Sequence, residues 1–397
     1  MENSSDDKKK DKNQRYLSPS FRKGAIKKQE ANEEDFKINL MSVDDEISYS
    51  PPPKGHKGHY RKSVQEDQLP TKTKLNEKVN LTPITDEEIP EEFNTNALPN
   101  GRVKKVASLS QAGKGEDGFT KVNQDSFLVI QNEYKLNDFN IFAVLDGHGV
   151  NGHLVSRFVT KYFSAFFKKN KKMNSLKSED AVYQRIKKHL GDKKDVDILT
   201  RAFKHAERDV TKSDIDANFS GTTCCMVLQI GEKLFSANVG DSRAILVKKD
   251  KVIPLTVDQK PNDIEELKRI ESNGGEVSQY EEDGEKSGPF RVWKKGEMYP
   301  GIAMSRSIGD LVASSLGVIP QPIFREEKID SDCLFMIVAS DGVWEFLENE
   351  KVAELVMPYY KKNDPEGACK CLIKESTAWW NKEDIVVDDI TAVAVFF

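Results

Sequence analysis

Residues 142–149 read Phe-Ala-Val-Leu-Asp-Gly-His-Gly, an apolar run that ends at a carboxylate. Three further segments have the same form: 236–241 (SANVGD), 334–341 (LFMIVASD) and 385–388 (IVVD). An apolar run of about four to seven residues before an aspartate predicts a buried strand that carries a charge to one end of a sheet. Carboxylates gathered there would repel each other unless divalent cations lay between them. These segments therefore predict a metal site at strand ends. Its aspartates are Asp146, Asp241, Asp341 and Asp388.

The ligands that the sequence offers to such a site are oxygen atoms. No His/Cys cluster has the spacing of a zinc site, and His148 and His153 do not form a His-Glu-x-x-His motif. Carboxylates, carbonyls and water suit Mg²⁺ or Mn²⁺. Gly147 lets the backbone approach the ions closely, so its carbonyl is a candidate ligand. His148, two residues after Asp146, is a candidate general acid that protonates a leaving oxygen.

Each of these motifs also has a purely structural interpretation. A single Asp-Gly pair is usually a turn. A single histidine is more often a hydrogen-bonded structural residue than an acid. The metal-site prediction therefore depends on the four aspartate motifs together, and on the segments that separate them along the chain.

Apolar spacing predicts helices and strands in the second part of the chain. Helical periodicity runs through 154–166, directly after the DGHG loop, and again through 199–212. The helices lie between blocks of neighbouring strands instead of alternating with them one by one. This order favours an α+β fold in which helices cover antiparallel sheets. The strand-like runs are 141–145, 222–230, 233–239, 243–248, 252–255, 334–339 and 390–396.

Residues 1–98 differ in composition from the rest of the chain. They are rich in Lys, Glu, Asp, Asn, Ser and Pro, and such a segment cannot bury enough apolar surface to offset its chain entropy. They predict a disordered or extended tail, which is also a candidate docking segment for a partner. Residues 101–397 are the predicted globular domain. Within it, the Lys-rich stretch 170–196 predicts a surface insertion and the polar stretch 279–289 predicts a mobile loop.

Charge and apolar patterning argue against several classes of protein. The net charge is −5 with mixed signs along the chain, so nothing predicts nucleic-acid binding. No apolar run approaches the ~18 residues of a membrane span, and the N-terminus lacks the apolar region of a signal peptide. Five cysteines without a Cys-x-x-Cys motif fit a reducing compartment. We expect an intracellular, cytoplasmic protein that binds no membrane, with the nucleus or a cytoskeletal assembly left open.

The order and wording of the motifs resemble the metal-dependent Ser/Thr protein phosphatases of type 2C. The resemblance extends over about residues 105–397, and the GPFRVW and GIAMSRSIGD wording is similar to plant and protist members. The segments that carry it are KVNQDSF (121–127), FAVLDGHG (142–149), SGTT (220–223), ANVGDSRAIL (237–246), DQKP (258–261) to NGGEV (273–277), GIAMSRSIGD (301–310), ASDGVWEFL (339–347) and DDIT (388–391).

The resemblance implies a central sandwich of two antiparallel β-sheets flanked by antiparallel helix pairs, with a binuclear Mg²⁺ or Mn²⁺ site at one end. Asp146 would bridge the two ions. Asp241 would help to hold a third, weaker ion beside Glu345, which is one methylene longer than the aspartate of many members. The implied ligands of the metal pair are Asp146, the Gly147 carbonyl, Asp341 and Asp388.

The resemblance also implies an activity. The protein would be a protein-serine/threonine phosphatase of signalling pathways that hydrolyses phosphorylated protein substrates directly, by a metal-activated water and without a phosphoenzyme. Asp125 would orient that water and His148 would be the general acid. The polar segment near 279–300 would be the flap that shapes substrate access.

The sequence departs from the family pattern where the phosphate is gripped. Many members have Arg-x-x-x-Glu-Asp where this chain has Thr120 and Gln124, so the usual arginine and glutamate are missing. Lys121, Arg291 and Arg306 are the candidates to supply the positive charge. An arginine clamps phosphate with two hydrogen bonds, whereas a lysine provides only a point charge. The sequence leaves the choice among the three open.

Three other functions have to be weighed. A thiolate phosphatase would need a Cys-x5-Arg loop, which the chain lacks. Gly113-x-Gly115-x-x-Gly118 matches a dinucleotide-binding pattern by letter, but the required strand–turn–helix context does not follow it. The alternative that stays open is a weakly active or inactive scaffold with the phosphatase fold, docking through its N-terminal tail onto a larger assembly.

Overall fold

The computed structural model describes residues 101–131, 138–169, 198–282 and 285–397, with three short strands and two single residues outside these ranges. The chain divides into two compact units, one formed by Asn32–Ile84 and the other by Met1–Ala31 with Thr85–Phe397. In the smaller unit, β1 (Lys37–Ile38) pairs with β2 (Val79–Asn80) in antiparallel fashion. All the elements that follow belong to the larger unit.

The predicted tail (1–98) and the predicted insertion (170–196) lie mostly outside the described residues. Within the tail, however, β3 (Glu92–Thr95) pairs antiparallel with β4 (Lys105–Gln111). An edge strand needs backbone hydrogen bonds on one side only, so it can form without apolar patterning. The sheet therefore begins upstream of residue 101, earlier than the composition indicates.

Two antiparallel sheets form the centre of the larger unit. The first has the order β17 (Ile323–Lys328), β10 (Lys233–Val239), β9 (Cys224–Ile230), β6 (Phe139–Leu145) and β5 (Ser126–Ile130). The second has the order β12 (Val252–Pro254), β11 (Arg243–Lys248), β18 (Cys333–Ala339), β19 (Ile390–Phe396), β4 and β3. The seven strand-like runs between residues 141 and 396 overlap β6, β9, β10, β11, β12, β18 and β19.

The second sheet is apolar on both faces, because side chains alternate between two buried layers. In β18, Met336 and Val338 join the core between the sheets, which also holds Phe142 and Val227 of the first sheet. Phe335 and its alternate neighbours on β18 instead pack under helices on the outer face. A strand that is covered on both faces reads as a continuous apolar run, as the quoted segments do.

Helix pairs cover the outer faces of the sandwich. On one side lie α1 (Gly152–Lys169) and α2 (Ile198–Thr211), whose Phe163 and Phe203 rings are 4.9 Å apart. The shorter helices are α3 (Ile264–Ser272), α4 (Leu311–Ser314) and α5 (Asp341–Trp344). On the other side, α6 (Asn349–Lys361) and α7 (Pro365–Glu383) bury Val356 and Leu372 against the second sheet. The predicted α+β sandwich with flanking helix pairs is confirmed.

Two small sheets complete the unit. One has the order β16 (Ile308–Gly309), β8 (Gly221–Thr222) and β7 (Gly147–His148). The other has the order β13 (Gly275–Glu282), β14 (Glu285–Lys294) and β15 (Pro300–Ile302). The loop predicted at 279–289 is wrong for its described residues, which belong to the β13–β14 hairpin. One face of that hairpin packs Val277 and Val292 over a small core, whereas its polar face hid the strand pattern.

Within the ranges that the structure describes, no helix combines the length and the apolar content needed to cross a bilayer.

Candidate active site

Three of the four aspartates follow strands, as the sequence predicts. Asp146 follows β6 of the first sheet, Asp341 follows β18 of the second and opens α5, and Asp241 lies between β10 and β11. Asp146 and Asp341 are close neighbours. Burial raises the pKa of Asp146 well above its ordinary value, and the carboxylates of Asp341 and Asp125 raise it further. The two sheets therefore deliver carboxylates to the same end of the sandwich.

Asp388 reaches this end in a different way. The IVV run before it forms only an isolated bridge, between Val387 and Lys114, and Asp388 instead precedes β19 by two residues. β19 is antiparallel to β18 and pairs Ala392 with Ala339, so it begins where β18 ends. The prediction that a strand ends at Asp388 is wrong, but the antiparallel pairing still brings this residue to the same end of the sheet.

Asp389 ties two loops together beside the aspartates. Its Oδ1 accepts a hydrogen bond from the Gly113 amide at 2.7 Å, and its Oδ2 accepts one from the Gln124 amide at 2.8 Å. The side chain is 4% exposed and both oxygens are used by the backbone. Asp389 therefore fixes the loop that carries Lys121 and leads into Asp125.

Asp125 is a buried carboxylate, only 6% exposed, with one oxygen used and one left over. Its Oδ2 accepts a hydrogen bond from the Ser340 hydroxyl at 2.7 Å. Burial, reinforced by the neighbouring Asp389 carboxylate, raises the pKa of Asp125 well above its usual range. Its Oδ1 is enclosed and has no hydrogen-bond partner among the described residues.

The same condition recurs at two other aspartates. Oδ1 of Asp241 and Oδ1 of Asp341 are enclosed, and neither has a partner within the described ranges. Burial and the carboxylates of Asp241 and Asp388 raise the pKa of Asp341. Asp341 as a whole is partly exposed, but its carboxyl group is enclosed. Unpaired buried carboxylate oxygens are costly, so this cluster needs positive charge.

Two lysines supply part of that charge. Lys121 Nζ lies 3.0 Å from Asp388 Oδ1, and Lys260 Nζ lies 2.5 Å from Asp241 Oδ2. For both lysines, burial works against the charged form, but the nearby aspartates outweigh it and raise the pKa. In the part of the chain that is described, no three His, Cys, Asp or Glu side chains form a ready-made ligand cluster. Glu345, predicted beside Asp241, is exposed at the end of α5.

The two arginines that the sequence offered for gripping phosphate are engaged elsewhere. Arg306 donates hydrogen bonds to both Glu266 carboxylate oxygens, at 2.9 and 2.6 Å, and to the Gln321 carbonyl. Arg291 donates to the Gly301 carbonyl at 2.7 Å within the small β13–β15 sheet, and burial lowers its pKa. Of the three candidates, Lys121 is the one in contact with the aspartate cluster.

Gly147 occupies a position where no side chain fits. A Cβ there would lie 2.4 Å from the Gly152 carbonyl oxygen and 2.5 Å from that of Gln124. The Gln124 side chain bridges the same region, because its amide donates to the Gly149 carbonyl at 2.7 Å. The backbone after Asp146 is thus held tightly against the loop that carries Asp125.

His148 lies in β7 and contacts a carboxylate that the sequence did not single out. Its Nε2 is 2.6 Å from Asp310 Oδ2. Burial opposes protonation of the ring, but the Asp310 carboxylate outweighs it and the pKa of His148 is raised. Nδ1 is enclosed without a hydrogen-bond partner among the described residues.

Sequence reasoning missed three members of this arrangement. Asp310 follows Gly309 instead of an apolar run, and it contacts a histidine 162 residues away. Lys260 and Ser340 lie in the DQKP and ASDGVWEFL segments, which were recognised only as family wording. One signal in the sequence could have identified Lys260. A lysine that lies between two aspartate motifs of a predicted carboxylate cluster is a candidate to neutralise their charge.

Comparisons with known proteins agree on one family. The family model described as Protein phosphatase 2C matches residues 111–385. "Probable protein phosphatase 2C 35" of Arabidopsis thaliana is 33% identical over 307 residues, covering 72% of this chain and 82% of that protein. "Probable protein phosphatase 2C 12" of Oryza sativa subsp. japonica is 31% identical over 336 residues, covering 75% and 83%. In fold, the chain is similar to the serine-threonine phosphatase 2C from Toxoplasma gondii, with a TM-score of 0.60 at 20% identity over 78% of this chain and 100% of that one.

Proposed function

Since the chain belongs to the protein phosphatase 2C family and is a protein-serine/threonine phosphatase, we propose that it hydrolyses phosphoserine and phosphothreonine in proteins with two Mg²⁺ or Mn²⁺ ions held by its aspartate cluster. One observation carries the metal proposal. Asp341 buries a carboxylate oxygen that has no partner among the described residues, and it lies beside the buried carboxylate of Asp146. Burial and mutual repulsion make such oxygens costly, and divalent cations would remove both costs.

The donor chemistry fits hard cations. Carboxylate oxygens suit Mg²⁺ and Mn²⁺, and Mg²⁺ commonly binds through one or two carboxylates while waters fill its remaining positions. A preformed cage of three side chains is therefore not required. When bound, such ions would supply the positive charge that polarises water and neutralises phosphate. The residues that we propose to hold them are Asp146, the Gly147 carbonyl, Asp341 and Asp388.

The remaining groups act on substrate and solvent. The unused Oδ1 of Asp125 is available to accept a hydrogen bond from the attacking water, while Ser340 fixes the other oxygen. Lys121 carries its charge at the edge of the cluster and is the proposed contact of the phosphate. His148 is the proposed acid that protonates the departing seryl or threonyl oxygen.

A third ion at Asp241 is the weakest part of the predicted site. The Lys260 ammonium already lies at Asp241 Oδ2, and Glu345 is exposed. A lysine at this distance supplies one positive charge without a metal. We therefore propose two ions as the resident set, with Asp241 neutralised by Lys260.

The cellular setting stays a proposal as well. Phosphorylated proteins are the proposed substrates, and the tail (1–98) is the proposed docking segment for a partner. The proposed address is cytoplasmic. The alternative function, a scaffold with little or no turnover, is separated from the enzyme by the measurement below.

The deciding experiment is phosphate release from a phosphothreonine peptide by the full 397-residue chain, with Mn²⁺ or Mg²⁺ and then with excess EDTA. We expect turnover that requires metal and disappears in Asp146→Asn. The matched control is Asp250→Asn, which removes an exposed aspartate after β11 and should leave turnover unchanged. A folded protein without turnover at millimolar metal would favour the scaffold. Undiminished turnover in Asp146→Asn would remove the aspartate cluster from the mechanism.

A further inference from the structure

The contact between His148 and Asp310 has the form of an imidazole held by a carboxylate. Nε2 and Oδ2 are 2.6 Å apart, and the Asp310 side chain is 6% exposed. The Ser307 hydroxyl donates to the same oxygen, so Oδ2 is a hydrogen-bond acceptor and Nε2 is the donor in this pair. A hydrogen bond between charged or partly charged groups at this distance is short and strong, and it fixes both ring orientation and tautomer.

Asp310 is itself held in a single position. Its backbone lies in the left-handed region, at φ 48°, and its amide donates to the Ser220 carbonyl at 2.9 Å. The Ser307 hydroxyl donates to the same Oδ2 at 2.5 Å. A Cβ at Gly221 would lie 2.0 Å from that oxygen, so the carboxylate fills space that only glycine leaves free. A non-glycine residue in this backbone region costs free energy, which the surrounding contacts have to outweigh.

A second carboxylate, that of Glu207, holds the loop that carries Asp310. Glu207 Oε2 on α2 accepts a hydrogen bond from the Gly309 amide at 2.5 Å, one residue before Asp310. Two segments distant in sequence therefore converge on the Asp310 loop, α2 through Glu207 and the Ser220–Gly221 segment at the start of β8, and Ser307 adds a local contact. These contacts fix the Asp310 carboxylate, and through it the position of the His148 ring.

We propose that Asp310 is a positioning residue. It holds the His148 ring by accepting a hydrogen bond from Nε2–H at Oδ2, which leaves Nδ1 as the nitrogen that serves the departing oxygen. The proposal rests on the proposed role of His148. The observation behind it is the division between the two ring nitrogens. Nε2 is taken by Asp310, whereas Nδ1 is enclosed and has no partner among the described residues. A buried polar atom without a partner is costly, so Nδ1 marks a place that a substrate or solvent atom enters.

The step that this arrangement serves is balanced as follows. The oxygen of a water forms a bond to phosphorus, and the P–O bond to the seryl or threonyl carbon chain breaks, with its electron pair staying on that oxygen. The proton on Nδ1 passes to this oxygen and gives the neutral alcohol. A proton from the attacking water restores the ring.

The test compares substrates whose leaving groups differ in their need for a proton. Asp310→Asn keeps the shape of the side chain and removes its charge. We expect turnover on a phosphothreonine peptide to fall about 10- to 100-fold, and turnover on an aryl phosphate to fall less than about 3-fold, because an aryl oxide leaves without protonation. His148→Ala with Asp310→Asn should be no slower on the peptide than His148→Ala alone, since the aspartate acts through the ring.

The controls separate positioning from general damage. Asp209→Asn removes another buried carboxylate, paired with Arg208 on α2, and should leave both activities unchanged. Mn²⁺ affinity of Asp310→Asn, measured by calorimetry, should match the wild type. If Asp310→Asn does not fold, Ser307→Ala removes one hydrogen bond to the same oxygen and should slow the peptide reaction selectively. Equal losses on both substrates would overturn the positioning role.

A spectroscopic measurement reads the pair without any turnover. ¹⁵N–¹H correlation of the histidine rings at one fixed pH, with His148→Gln to identify the signal, should show a downfield Nε2 proton that moves upfield in Asp310→Asn. An unchanged His148 signal would refute the contact. A wild type with no phosphatase activity would instead refute the proposed function, and the ring signal would still decide the pair.

Discussion

The pH dependence of folding at Glu207 can be worked out from the structure. Burial, reinforced by Asp310, raises the pKa of Glu207 from 4.5 to about 7, against the stabilising hydrogen bond from the Gly309 amide. A group whose pKa is higher in the folded state contributes stability that is fully present below pH 4.5 and is lost as the pH rises through 7. A pKa difference of about 2.5 corresponds to about 3 kcal/mol.

The perturbation is Glu207→Gln, which keeps an oxygen for the Gly309 amide and removes the ionisation. The free energy of unfolding of the variant, relative to the wild type, should therefore rise by about 2.5 kcal/mol between pH 5 and pH 8. The assay is guanidinium denaturation of both proteins in EDTA at several pH values, so that metal binding does not contribute. Comparing two proteins at each pH cancels the other titrating groups.

Glu354→Gln is the matched control, because it removes an exposed carboxylate of α6 that pairs with Lys351 at 3.2 Å. A flat difference between Glu207→Gln and the wild type across this pH range would refute the reasoning. The same slope in the control would show that loss of negative charge is measured, and that burial is not its source.

Three further predictions concern charge at and near the site. Asp146→Asn should lower metal-dependent turnover by at least about 100-fold and weaken Mn²⁺ binding, checked by phosphate release and calorimetry; unchanged Mn²⁺ binding would contradict it. Lys121→Met should raise the KM for a phosphopeptide about 10-fold, whereas Lys121→Arg should keep the wild-type KM, because the positive charge beside Asp388 contacts the phosphate. Equal KM values in both variants would exclude this contact. Arg306→Ala should lower the free energy of unfolding by about 3 kcal/mol and leave the KM unchanged, because it removes a partner of buried Glu266. A raised KM in a stably folded variant would indicate instead that Arg306 contacts the phosphate.

The elements that sequence reasoning predicted are those whose environment is simple. β6 and β18 are buried on both faces, so their apolar runs and the aspartates after them could be read directly. The helices α1 and α2 show the periodicity of a surface helix with one buried face. The order of the motifs then implied the sandwich.

The elements that it missed depend on pairing between distant segments. In β14 of the hairpin, Val292 is the one buried residue, so the strand lacks the alternation that one fully buried face would produce. Asp388 reaches the site because β19 runs antiparallel to β18, which no local pattern states. The contacts of His148 with Asp310 and of Asp241 with Lys260 join side chains whose meeting only the folded chain defines.

The position of β19 has a consequence for how the protein is made. This strand lies between β18 and β4, so β4 obtains its second partner only when residues 390–396 are present, and Asp389 contacts Gly113 across 276 positions. Contacts at such separations form slowly, because the loop between them must first be closed. On a ribosome, the earlier aspartates would emerge long before Asp388. A nascent chain should therefore remain catalytically silent until this closing event, and refolding intermediates that lack β19 should expose the edges of both its neighbours to aggregation.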